Sequence, residues 1–289
     1  MPVEPPIESA ATLADAYALL ASSTASDQLT PIAGGTDVMV RITGEIGEPP
    51  DRLLDLWRLD ELRGIIANAN AITLGALTTY FDIRRSGPCR EHLPVLVEAA
   101  ATIGAAQIQN RGTLGGNIAN ASPAGDTLPV LLALDAEIVV GGPRGERTVA
   151  ASDFWVAYRR TALAPDELIL RIRIPVRGGR EARFRKIGTR RAQAISKVVI
   201  AVAWNERRGD PAWRDVRVAL GSVADRPIRS AAAEEALEGR PPTPESADSA
   251  AEALAAGIHP IDDVRSTAEY RRLVSARVLH RLIRDAGGW

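Results

Sequence analysis

The chain of 289 residues carries a single cysteine, Cys89. An internal disulfide is therefore excluded, and so is an iron–sulfur cluster held by this chain alone, because such clusters take several thiolates. The histidines, His92, His259 and His280, lie far apart and show no metal-ligand spacing. No apolar run approaches the roughly 20 residues needed to cross a bilayer. The opening Met-Pro-Val-Glu-Pro-Pro has neither the basic start nor the apolar centre of a secretory signal, so the expected location is cytoplasmic. Neither sign of charge is in excess: Lys+Arg 35 against Asp+Glu 36 speaks against a general nucleic-acid or anionic-membrane binder. No Gly-x-Gly-x-x-Gly opens a helix, and no Gly-x-x-x-x-Gly-Lys-Ser/Thr occurs, so Rossmann and P-loop sites have no support. Redox chemistry, if any, must come from an organic cofactor.

What is present is the balance of a globular protein, with 46% apolar and 25% charged residues, in a chain long enough for two or three lobes. Thr12 can cap a first helix over 12–20, with Asp15 at its third position. Leu53, Leu54 and Leu56 suggest a buried strand. Ile72, Leu74 and Ala76 alternate as a half-buried strand, and Thr78 or Thr79 can cap a helix through Ile83. Pro94 suits the first turn of a helix to about Gly104, and Pro129 lies in another. Ala136–Val140 and Leu168–Ile174 read as strands. Gly141-Gly-Pro-Arg-Gly145 reads as a plain turn. Beyond the linker Arg177–Arg180, Val198–Trp204 and Val216–Leu220 are strands flanking a turn at Arg207–Pro211. Ala231–Leu237 and Pro244–Ala256 are helices. The last helix runs from Thr267 to about Asp285, with Ser266 and Glu269 as a capping box and a buried stripe of Tyr270, Leu273, Val274, Val278 and Leu282. Three lobes follow, at about 1–58, 59–176 and 177–289, the first two forming one unit over 1–176.

Two Gly-Gly loops stand out. Ile32-Ala33-Gly34-Gly35-Thr36-Asp37-Val38-Met39 leads into a strand or short helix, and Thr113-Leu114-Gly115-Gly116-Asn117 leads towards a lone carboxylate, Asp126. Paired glycines let backbone N–H groups approach a ligand closely. The loops suggest two walls of one diphosphate-sized site, bound deep between backbones because neither has Lys or Arg at its centre.

The chain resembles the FAD-binding medium subunit of the molybdenum hydroxylases, the xanthine dehydrogenase and carbon monoxide dehydrogenase family. The resemblance rests on Ala33–Asp37, Gln109–Asp126, Tyr158–Leu168, Phe184–Val198 and Asp262–Arg272, in order and spacing. It implies an α+β fold: a two-lobed FAD-binding domain of the PCMH type followed by a smaller α+β C-terminal domain. Ile32 to Met39, and Thr113 to Asn117 from the second lobe, would wrap the FAD pyrophosphate through backbone N–H groups. Asp126 would accept a hydrogen bond from the adenosine part. Ile103 and Ile169 would be apolar contacts of flavin or adenine. Lys186 would approach the flavin side and stabilise negative charge on the reduced ring, although it sits in a basic run with Arg183, Arg185, Arg190 and Arg191 that reads as a solvated face or a docking surface. FAD would be non-covalent, since neither loop holds a His or Cys.

The resemblance further implies an oxidoreductase subunit, with no proton-transfer residue of its own. A large subunit would hold molybdenum-pterin and a small one 2Fe-2S clusters, electrons reaching FAD on this chain and then NAD or another acceptor. The alternatives are a stand-alone flavin reductase of the same broad fold, for which Ser122 is the only nearby acid, and a scaffold or maturation protein with a degenerate flavin site.

Overall fold

The computed structural model describes residues 4–24, 26–44, 47–190 and 193–289. In the first lobe, β1 (Ile7–Ser9), β2 (Leu29–Ile32) and β3 (Arg52–Asp55) form a parallel sheet in the order β1-β3-β2, joined by α1 (Leu13–Ala21) and α2 (Val38–Ile42). Thr12 caps α1 in a reciprocal box with Asp15. Leu53 and Leu54, fully buried, anchor this small sheet. The first Gly-Gly loop is the β2–α2 turn, so it leads into a helix.

The second lobe is a five-stranded antiparallel sheet, β4-β5-β10-β6-β7, built from β4 (Ile65–Ala67), β5 (Ala71–Gly75), β6 (Glu137–Gly142), β7 (Gly145–Ala150) and β10 (Leu168–Pro175). Between β5 and β6 run six helices: α3 (Tyr80–Arg85), α4 (Gly87–His92), α5 (Pro94–Ala101), α6 (Ala106–Arg111), α7 (Leu114–Asn120) and α8 (Leu128–Ala133). Thr79 is the residue that caps α3, reciprocated by Asp82. After β7 come α9 (Ala151–Phe154) and a hairpin of β8 (Trp155–Ala157) and β9 (Arg160–Thr161). Gly142 pairs with Gly145 across the β6–β7 hairpin, which makes the Gly-rich 141–145 stretch a turn.

The C-terminal part is an antiparallel sheet of β11 (Arg180–Ile187), β12 (Val198–Arg207), β13 (Asp210–Gly221) and β14 (Ile228–Arg229), with α10 (Ala231–Leu237), α11 (Pro244–Gly257) and α12 (Ala268–Gly287). β12 is apolar on both faces because both are covered. Val198, Ile200, Val202 and Trp204 pack on the helices, while Val199, Ala201 and Ala203 join the core of the second lobe. Arg180 lies in β11, so the linker is shorter than its glycines suggest. Asp135 and Asp215, both at positive φ, sit among Arg177, Arg180 and Arg217 at this junction.

Two expectations for α12 are corrected. Thr267 is the cap, accepting from the Tyr270 N–H at 3.2 Å, while the Ser266 N–H is taken by the Asp263 carboxylate at 3.1 Å. The buried face carries Arg271, Ser275, Leu279, Leu282 and Ile283, whereas Tyr270 and Leu273 are exposed. Arg271 escapes an apolar reading because the terminal nitrogens of its guanidinium are bonded internally, to the Lys197 and Ser222 carbonyls and to Asp263 at 2.6 Å, although its Nε is buried without a partner.

Candidate functional site: a seam between two glycine loops

The two loops meet. A Cβ on Gly34 would lie 1.7 Å from the Arg111 carbonyl oxygen, so the first loop abuts the main chain just ahead of the second. A Cβ on Gly116 would lie 3.8 Å from the Ala33 methyl. Gly35 has φ +79°, the left-handed region that glycine tolerates. Glycine is required at Gly34 by close approach and at Gly35 by conformation.

Their donors differ sharply. Among the described residues, the N–H groups of Gly34, Gly35, Thr36, Asp37 and Val38 have no acceptor within the chain, while the Met39 N–H bonds the Gly35 carbonyl. Gly34, Gly35, Thr36 and Val38 are half-exposed, and Asp37 and Met39 are exposed. This row of donors at a helix start is suited to an anion. The second loop is not such a row. Leu114 donates to the Thr78 carbonyl, Gly115 to Ala76, Gly116 to the Thr113 hydroxyl and Asn117 to the Thr113 carbonyl. The expectation of a second N–H cradle at 113–117 is therefore corrected. Thr113 caps α7 and bridges to Thr79, so those N–H groups are spent on the fold. This wall supplies closeness: a Cβ on Gly115 would lie 2.7 Å from the Ala76 methyl and carbonyl, inside the lobe and away from a ligand.

Asp126 is 6% exposed. Its Oδ2 accepts from Lys186 Nζ at 2.6 Å, and Lys186 also donates to the Thr102 carbonyl at 3.1 Å. Its Oδ1 is buried without a partner. Burial pushes the carboxyl up to about 6 against the pull of Lys186 and, more weakly, of the nearby Ser196 hydroxyl, which is itself bonded to the Ala124 carbonyl. The pair revises two roles. Asp126 and Lys186 cannot serve opposite ends of one ligand, and Lys186 is not part of a solvated face. Strand alternation separates it from exposed Arg183 and Arg185 and puts it on the side of buried Phe184. Arg190 lies beyond the strand, and Arg191 falls outside the described residues.

The other candidates are placed unevenly. Ile103 is half-buried beside the main core, and its carbonyl accepts from the Gln109 amide at 3.0 Å. Ile169, 6% exposed, packs within the central sheet at a bulge in β10, which leaves little surface for a ligand. Asn117 accepts from the Thr127 hydroxyl at 2.7 Å and so ties α7 to the residue after Asp126. The Ser122–Gly125 turn is held from the C-terminal part: Ser196 Oγ donates to the Ala124 carbonyl at 3.0 Å and the Ser222 N–H to the Pro123 carbonyl at 2.8 Å.

Two groups escaped the sequence reading. Arg159, at φ +51° in the β8–β9 turn, donates to Asn120 at the end of α7 at 2.8 Å. It and Asn120 oppose a rise in the Asp37 pKa caused by surrounding protein mass. Asp37 itself is exposed. Tyr80, 3% exposed with its ring against Gly112, is the other. A separate pocket of about 600 Å³ is lined by Arg63, Leu77, Phe81 and Arg85 among others and includes no residue of either glycine loop. The free donors of the first loop lie at the seam and not beside that cavity, while Asp126 Oδ1 is closed off from solvent within the fold.

Residues 4–177 match the family model described as FAD binding domain in molybdopterin dehydrogenase, and residues 183–286 match that of the CO dehydrogenase flavoprotein C-terminal domain. The medium subunit of nicotine 6-hydroxylase from Paenarthrobacter nicotinovorans is 34% identical over 281 residues, 96% of each chain. The medium chain of glyceraldehyde dehydrogenase from Sulfolobus acidocaldarius is 32% identical over 250 residues, 86% of this chain and 87% of that one. In carbon monoxide dehydrogenase from Hydrogenophaga pseudoflava, the matching chain superposes with a TM-score of 0.91 at 30% identity, covering 97% of this chain and 96% of the other. With the free N–H row of its first glycine loop set against the second, a row suited to an anion, this α+β chain belongs to the FAD-binding flavoprotein subunits of the molybdenum hydroxylases, a family of oxidoreductase components.

Proposed function

We propose that this chain carries FAD non-covalently in the cleft between its first two lobes and relays electrons within a larger molybdenum enzyme. A large subunit holds molybdenum-pterin, a small one holds 2Fe-2S clusters, and NAD or another acceptor takes the electrons. The observation that carries the reading is the run of unpaired N–H groups from Gly34 to Val38, set against the second glycine loop. FAD, when bound, supplies the redox chemistry, and the protein holds and tunes it.

Residues Ile32 to Met39 bind the diphosphate, with N–H groups at Gly34 to Val38. Thr113 to Asn117 form the opposite wall and fix its distance. Asp126 accepts from the cofactor through Oδ1, the oxygen left without a partner and closed off from solvent, so binding uncovers it. Lys186 holds Asp126 charged and oriented, and Ile103 borders the ring system. Cys89, buried in α4, has no part in this. A cytoplasmic location goes with this assignment, and among the described residues no helix is long and apolar enough to cross a membrane.

The test is purification under native promoters with a tag on this chain. Yellow protein with a flavin spectrum, travelling with a large molybdenum-containing subunit and a small cysteine-rich one, is expected. A colourless chain that does not take up FAD on reconstitution refutes the cofactor. A yellow chain that remains alone favours a free-standing reductase.

A further inference from the structure

Lys186, the partner of Asp126, stands at one end of the C-terminal sheet. There Lys186 pairs in register with Val199, and Val199 with Gly221, so β11, β12 and β13 reach the second lobe side by side. A Cβ on Gly221 would lie 3.1 Å from the Pro123 carbonyl oxygen, in the turn just ahead of Asp126. Ser222, which follows β13, and Ser196, just ahead of β12, hold that turn. The Ser222 N–H donates to the Pro123 carbonyl at 2.8 Å, and Ser196 Oγ to the Ala124 carbonyl at 3.0 Å. The two hydroxyls are 3.0 Å apart, and Ser222 Oγ donates to the Ser196 carbonyl at 3.1 Å.

Ser222 has φ +66°, a conformation that a residue with a Cβ rarely adopts. Its carbonyl is held by Arg271 of α12, which is 4% exposed. Arg271 Nη1 donates to the Ser222 carbonyl at 2.5 Å and to the Lys197 carbonyl at 3.3 Å, while Nη2 bonds Asp263 at 2.6 Å. One guanidinium thus spans the end of β13 and the start of β12. Asp263 fixes it in turn, since the same carboxylate oxygen accepts from the Arg265 and Ser266 N–H groups at 2.8 and 3.1 Å. Stability alone gives little reason for an arginine here. A buried cation is costly even when paired, and Arg271 Nε is buried without a partner. What the side chain does is fix two carbonyls at once, beside the groups that bind Pro123 and Ala124. The Asp126 carboxylate follows directly on that turn, and a group that must meet a ligand atom within hydrogen-bond reach depends on such support. By this route the sequence stretches 184–198 and 262–272 meet at one point behind Asp126.

We propose that Arg271 is a positioning residue of the cofactor site: through Ser222 and Ser196 it fixes the Ser122–Gly125 turn and thereby the place of the Asp126 carboxylate. The proposal rests on FAD occupying the cleft and on Asp126 accepting from it. Arg271 does not itself touch the cofactor.

The test uses the full chain stripped of flavin and a double-mutant cycle on FAD affinity, measured by flavin fluorescence. Arg271→Met is expected to weaken FAD binding by about tenfold, the worth of one hydrogen bond to a charged group. In an Asp126→Asn background the same substitution is expected to change affinity by less than about twofold, since the carboxylate that it places is already gone. A substitution that only loosens the fold lowers affinity equally in both backgrounds, and that result overturns the proposal. So does an Arg271→Met chain with affinity within about twofold of the parent. If Arg271→Met does not fold, Ser196→Ala, which deletes one buried hydroxyl and its bond to Ala124, decides by the same cycle. A loss of about threefold is then expected with Asp126 in place and none in the Asp126→Asn background; an unchanged affinity, or equal losses, overturns the proposal. An Asp126→Asn chain that binds FAD as tightly as the parent refutes the role of Asp126, and the proposal with it. A parent chain that binds no FAD at all refutes the proposed function instead, which keeps the two failures apart.

Discussion

Replacing Gly34 by alanine adds one methyl group, and the structure fixes what it meets. The new Cβ would lie 1.7 Å from the Arg111 carbonyl oxygen, 2.5 Å from its carbon and 3.1 Å from the Gly112 nitrogen. A relaxed contact needs about 3.5 Å, and both partners are main chain, so no side chain can swing aside. The seam must open by roughly 1.5–2 Å. Overpacking of this kind costs about 1–3 kcal/mol, equivalent in a chain of this size to a melting temperature lower by roughly 3–10 °C. The effect on FAD is larger. Donors displaced by that distance leave the ~2.7–3.2 Å range of a hydrogen bond. Losing two of them to an anion is worth about 3 kcal/mol or more, on the order of a hundredfold in affinity. The assay is flavin content after purification, followed by titration of the stripped chain. Gly87→Ala is the control, since its Cβ would meet nothing within 4 Å and its φ is not positive. A Gly34→Ala chain with parental flavin content and melting temperature would falsify the picture of two loops in contact.

The remaining predictions concern charge and fold. The Asp126 carboxyl titrates near 6 in the folded chain against an ordinary 3.8. The unfolded state releases its proton first, so flavin-free protein loses stability as pH rises from about 4 to about 6 and levels off above that. A cofactor that donates to Oδ1 favours the charged form, so FAD affinity should rise by up to about tenfold per pH unit below pH 6 and flatten above pH 7. Asp126→Asn should abolish the slope, and a slope that survives in that variant contradicts the assignment. Lys186→Met removes the one cation bonded to Asp126 among the described residues, raising that carboxyl further and shifting the affinity midpoint to higher pH; an unmoved midpoint argues against the pair. Arg159→Gln weakens the hold on Asn120 and the charge opposing Asp37, and should speed FAD release severalfold in a stopped-flow chase. Asp135→Asn weakens ion pairs to Arg177 and Arg217 at partly exposed sites, about 1 kcal/mol after solvent screening; its melting temperature should depend less on salt than the parent's.

Much of the fold was legible because its signals are local. Thr12 with Asp15, the strand alternation of 168–174, and the apolar run at Val198–Trp204 each specify an element from adjacent residues. The first glycine loop was legible as a site for the same reason, since Gly34 and Gly35 act through backbone geometry alone. What stayed hidden depends on long-range pairing. Nothing near Thr113 in sequence says that Ala76 and Thr78 will take the N–H groups of Gly115 and Leu114, so a helix start looks like a free cradle. The buried face of α12 was legible at Leu282, Val274 and Val278 but not at Arg271, a core residue only by virtue of the Lys197 carbonyl and Asp263.

Lys186 is the instructive case. A count of nearby arginines puts it on a solvated face, but alternation with Phe184 puts it inside, opposite Arg183 and Arg185. Period two outranks composition in a strand because each step reverses the side-chain direction. Had that rule been applied first, the partner would still have been unknown, since Asp126 lies on a different lobe. The pairing ties the C-terminal sheet to the part of the second lobe that carries Asp126. Ser196 and Ser222 bind the Ser122–Gly125 turn just ahead of Asp126 from the same side. The C-terminal part is thus a structural component of the proposed FAD site, and a chain truncated after residue 177 should lose FAD affinity even though both glycine loops remain intact.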